Sequence, residues 1–155
     1  MLYTEESIIN SVLEQWKVDA VARFSAKLTD KNFLFPCIPA TQGYRLNQFR
    51  YGFVSDPRNI SSADELAKIL EAYSNCFRNL GNYTSLIIFY DTSEELKDRT
   101  CVETFEQLFW KQVNRLTEID YKEWPRQIHI IRSGNSVFTG NNISFIAPPL
   151  LIKRK

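Results

Sequence analysis

Between Gln48 and Tyr90 the hydrophobic pattern changes period twice, and this order of periods restricts the fold more than any other part of the chain. Gln48–Val54 is rich in aromatic residues and reads as a strand, closed by Ser55-Asp56-Pro57 as a turn. From Ser62 the period becomes helical. Leu66, Ile69, Leu70, Tyr73, Phe77 and Leu80 fall on one face, Ser62 with Glu65 reads as a capping box, and Gly81 is the natural stop. Thr84–Tyr90, TSLIIFY, is then a short apolar run suited to a strand covered on both faces. Strand, helix, strand is the order of a crossover unit, so the two strands are expected to lie parallel in one sheet.

The flanking segments predict helices packed on that unit. Thr4 can cap a helix whose first turn carries Glu5 and Glu6, with Ile8, Ile9, Val12, Leu13 and Trp16 at helical spacing. Val18–Leu28 continues this helix or begins another, with Val21 and Phe24 inward. Pro36 and Pro39 exclude regular structure from Phe33 to Pro39, and Gly43 reads as a further bend. After Thr92 a third helical region is charged through Arg99. It is amphipathic from Val102 to Leu116, with Phe105, Phe109, Val113 and Leu116 on one side and Trp110 at the edge as a packing residue. Asp120–Trp124 reads as an exit loop ended by Pro125. The expected fold class is α/β (α+β): a single domain, a small mixed sheet with a βαβ-like unit near 48–54 and 84–90, packed by amphipathic helices.

Composition narrows the function classes. A chain of 155 residues with 44% hydrophobic and 14% aromatic residues buries one sizeable core. A net charge of +1 supplies no field to attract nucleic acid or a membrane surface. The start, MLYTEESIIN, carries acids where a signal peptide carries bases, so a cytoplasmic location is expected. Cys37, Cys76 and Cys101 are odd in number and widely spaced, which suits reduced thiols. There is no phosphate loop, Ser-His-Asp set or metal-ligand cluster in the sequence, and hydrolase, kinase and zinc readings have nothing to stand on.

The last part of the chain differs in composition. All 18 acidic residues precede Trp124, and the end is the basic string Lys153-Arg154-Lys155. SVFTGNNISFI can form an edge hairpin with its turn at Thr139–Asn142, and Val137, Phe138, Ile143 and Phe145 are the residues whose alternation would pack it.

Five short elements carry a family resemblance through their order and spacing: FPC at Phe35–Cys37, RYGFV at Arg50–Val54, TSLIIFY at Thr84–Tyr90, LFW at Leu108–Trp110 and WP at Trp124-Pro125. In these the chain resembles the YqcI/YcgG family as far as about Ile128. In that family the WP element is followed by a segment like WEFCF and then a Pro-Ala-His element, which this chain lacks. Allowing one missing base in a proline codon after Ile128, codons compatible with His129–Lys155 can restore a continuous string in the family's pattern. The expected organisation is therefore a family-like body at 1–128 and an out-of-frame tail at 129–155, with His129, the only histidine, an accident of frame.

The resemblance implies a haem-dependent oxygenase that hydroxylates a guanidino nitrogen on an arginine-like small molecule. Haem needs an axial ligand and partners for its propionates. Cys37, held between two prolines, is the candidate thiolate. Arg45 and Arg50 are the candidates for propionates or a substrate carboxylate. Against this stands the packing reading, in which Cys37 is a small hydrophobe and the arginines are solvated or locally paired. Without the family's C-terminal elements, the chain is expected to be inactive: a non-catalytic remnant, or a small interaction module.

Overall fold

The computed structural model describes residues 1–92, 102–119 and 144–146. Helix α1 (Glu5–Ile9) is short, and its start follows the sequence closely. Thr4 is the N-cap, its hydroxyl accepts from the Ser7 amide, and Ser7 returns the bond to the Thr4 amide. The helix stops at Asn10, and α2 (Gln15–Thr29) begins separately. The stripe Ile8 to Trp16 is thus split between two elements. Ile8 is buried, whereas Ile9 and Val12 are exposed.

Helix α3 (Ile38–Arg45) corrects two expectations. Pro39 sits in the first turn, where a missing amide costs nothing because that amide has no intrahelical partner. Gly43 is inside the helix rather than at a bend, and its lack of a side chain admits the Tyr83 carbonyl and the Phe49 ring. Strand β1 (Phe49–Val54), helix α4 (Ser61–Cys76) and strand β2 (Ser85–Tyr90) follow. The strands are parallel, in a register that pairs Phe49 with Ser85 and Val54 with Tyr90. The crossover unit is as the sequence predicts.

The expected Ser62–Glu65 capping box is absent. Ser62 donates to the Asn59 carbonyl instead. The Glu65 carboxylate accepts from the Ser55 amide at 2.8 Å and from its hydroxyl, tying α4 to the end of β1. Gly81, at φ +118°, follows a 3-10 turn at Phe77–Asn79 and ends the helical segment as expected. Helix α5 (Val102–Ile119) matches the third helical region, whose charged start lies outside the described residues. Strand β3 (Ser144–Ile146) pairs antiparallel with β2, placing β2 centrally in the order β1-β2-β3. It falls on the second arm of the expected hairpin, whose first arm and turn lie outside the described residues. The other edge of β1 is met by Tyr3, which exchanges two 2.9 Å backbone bonds with Tyr51.

One sheet therefore serves two apolar layers, a single mixed α/β domain. Phe49, Tyr51 and Phe89 pack with Phe24, Val21 and Leu28 of α2 on one face. Val54, Leu86, Ile88 and Tyr90 pack with Leu66 and Ile69 of α4 on the other. Alternation along each strand makes this division, and β2 is buried on both faces from Leu86 to Tyr90.

Candidate functional site

The stretch Phe35–Arg58 places its three candidate residues on two elements. Cys37 is the N-cap of α3, half-buried, free of any disulfide and packed with Phe35 against the α2-side core. Arg45 is the last residue of α3, exposed, and eight residues of helix put it about 12 Å from Cys37 along the axis. Arg50 lies on β1, where Phe49 and Tyr51 take the α2 face. By strand alternation it belongs with Gly52 and Val54 on the α4 face. Its guanidinium donates to the Phe49 carbonyl at 2.7 Å and the Asn47 carbonyl at 3.2 Å. The sheet thus separates Arg50 from Cys37.

Two polar groupings escape the sequence reading. In the first, one carboxylate oxygen of Glu5 accepts from Ser25 at 2.8 Å and from the Tyr44 hydroxyl at 3.1 Å, joining α1, α2 and α3. Tyr51, 1% exposed, adjoins this group. Burial, reinforced by the Glu5 charge, raises its phenol above the usual range, and burial raises that of Tyr44 as well. Both phenols stay protonated at neutral pH, and the two bonds to Glu5 tie the three helices together.

In the second, the Gln112 amide of α5 donates to the Pro57 carbonyl at 2.7 Å and to the Ser62 hydroxyl at 2.6 Å. Gln112 is 4% exposed, and its Oε1 has no partner among the described residues. It borders a cleft of about 240 Å³ with Asn59, Ile60, Lys111, Arg115 and Glu118. Arg115 is paired to Glu118 at 2.9 Å. The sequence carried a sign of this: Gln112 falls between Leu108 and Leu116 at four-residue spacing on the apolar side of α5, where a polar residue must find a buried partner. The cleft touches none of Cys37, Arg45 and Arg50. Among the described residues no cluster of three or more His, Cys, Asp or Glu is placed to hold a metal ion, and no helix is long and apolar enough to cross a membrane.

Tyr51 and Tyr90 give a pH dependence. Burial raises both phenols, so their stabilising contribution is complete below the unfolded phenol value near 10 and is lost as pH rises beyond it. From neutral pH the melting temperature is expected to hold level up to about pH 9.5 and to fall above it. The double variant Tyr51→Phe/Tyr90→Phe should flatten that fall, whatever its melting temperature at neutral pH. An unchanged alkaline slope would contradict the assignment.

The elements quoted for the family resemblance, from FPC to LFW, lie on α3, β1, β2 and α5 or just before them. The model of the YqcI/YcgG family matches residues 24–132, from the middle of α2 to beyond α5. The chain belongs to the YqcI/YcgG family. Its relatives include the uncharacterised proteins YcgG and YqcI of Bacillus subtilis (strain 168), each 38% identical over 129 residues. That alignment covers 82% of this chain and 51% of each relative, so the chain spans about half the length of the curated relatives it matches. No solved structure matches it significantly. The family's shared region thus contains the whole β1-α4-β2 unit together with Cys37, Arg45 and Arg50.

A haem fitted to these residues needs the axial donor and the propionate partners to converge on one slot. Among the described residues they do not. Cys37 faces one core layer, Arg50 belongs to the other, and Arg45 stands at the far end of α3 in solvent.

Proposed function

We propose that the YqcI/YcgG fold serves haem-dependent hydroxylation of a guanidino nitrogen on an arginine-like small molecule, and that this chain is a non-catalytic member of the family. The first part rests on the family resemblance. The second rests on one observation: the sheet divides Cys37 from Arg50, leaving no single slot that both can line. Haem, where a longer member binds it, supplies the oxygen chemistry. The residues of this chain supply packing: Cys37 seats the start of α3, and Arg50 ties off the carbonyls at the start of β1. The purified protein should be colourless and should remain so with added haemin; a stoichiometric Soret band would overturn the reading.

The same reading takes 1–128 as the family body and 129–155 as an ending read out of frame. The absence of acids after Glu123 and the end of the family match at residue 132 support it. Sequencing the coding DNA across Gln127–Gly134 tests it. An additional base, or family-like coding continuing out of frame downstream, is expected; unrelated DNA downstream would sink the idea.

A further inference from the structure

The segment Phe33–Pro39 is apolar at every position, yet only Phe35 and Cys37 turn towards the core. Phe33 and Leu34 are each 82% exposed, Ile38 is 73% exposed, and Pro36 and Pro39 are exposed beside them. Five apolar side chains therefore stand in water within seven residues, a concentration along the chain unlike the single scattered apolar residues of an ordinary surface. The strip is not loose chain. Phe35 and Cys37 anchor it from beneath, Asp30 accepts from the Asn32 and Phe33 amides before it, and α3 starts within it. A held, water-facing apolar strip is the form of an interface.

The occupant follows from chain length. The strip lies inside the region shared with the family, and the relatives carry about as many residues again outside the aligned 129. We propose that Phe33, Leu34, Pro36, Ile38 and Pro39 form the surface on which the other half of the family's longer chains packs. In this chain the strip is a docking surface for a polypeptide equivalent to that half. This inference stands apart from the haem reading, since the packing would hold whatever the family catalyses.

The test compares amide hydrogen exchange in this protein and in full-length YcgG. The peptide aligned with Phe33–Pro39 should exchange at least tenfold more slowly in YcgG than here. Equal rates would overturn the proposal. So would protection here that increases with concentration alongside a dimer in sedimentation, because the strip would then belong to a second copy. The double variant Phe33→Asp/Leu34→Asp gives an independent reading. It should melt within a degree or two of the parent and be more soluble, whereas a large fall in melting temperature would make the strip part of this chain's own core and overturn the proposal.

Discussion

Phe89→Ala is expected to destabilise the protein by about 3–5 kcal/mol, the range for emptying a large aromatic site in a packed core. Phe89 is 2% exposed on the central strand β2. Its ring lies 6.1 Å from Phe24, 6.4 Å from Tyr51 and 6.0 Å from Phe53, so one side chain joins α2 to both parallel strands. Truncation removes the apolar burial and leaves a cavity that three rings, each held by its own neighbours, cannot refill. A loss of this size is a large fraction of the stability of an ordinary small domain. Chemical denaturation should show a much lower midpoint with an unchanged slope. Phe33→Ala is the contrasting case: on the exposed strip it should change stability by less than about 0.5 kcal/mol. Similar effects at both positions would contradict the layer assignment.

Gly43→Ala is expected to cost about 3 kcal/mol or more, at the upper end of the usual range for overpacking. A Cβ at this position would run into the Tyr83 carbonyl oxygen and lie 2.7 Å from the Phe49 ring. The nearer obstacle is backbone, and it is held. Gln48 accepts from the Tyr83 amide at 2.8 Å, and the Thr84 hydroxyl donates to the Gln48 carbonyl at 3.0 Å. Gln48 in turn donates its amide to the Gly43 carbonyl at 2.9 Å. Relieving the clash means moving α3 away from the start of β2, which loosens these bonds together. The expected readout is a melting temperature lower by roughly 10 °C. A shift below about 2 °C would mean that α3 does not lie against the Tyr83 loop as described.

These two residues show what the sequence could and could not disclose. Phe89 sits in an apolar run whose length and flanks fit a strand, so its burial was readable from its neighbours alone. The same holds for the crossover helix, because Leu66, Ile69 and Tyr73 repeat at the period of the element they form. Gly43 was misread. Its role comes from Tyr83, forty residues away, and no local rule reports a close approach between distant backbones. Glu65 failed for a related reason: its spacing from Ser62 suits a capping box, but the end of β1 competes for the same carboxylate and wins with two bonds from Ser55. At the candidate site, the sequence set Cys37, Arg45 and Arg50 within fourteen positions of one another. Strand alternation then sent Arg50 to the far face. That could have been anticipated from Tyr51, whose neighbours on the strand must point the other way.

The measurement that bears most directly on this account is a haemin titration of the purified protein, followed at the Soret band beside the Cys37→Ala and Arg50→Ala variants. The account predicts no stoichiometric complex, and only weak absorbance changes that are the same in all three proteins. A one-to-one complex abolished by both substitutions would contradict it, since Cys37 and Arg50 would then have to reach one haem from opposite sides of the sheet.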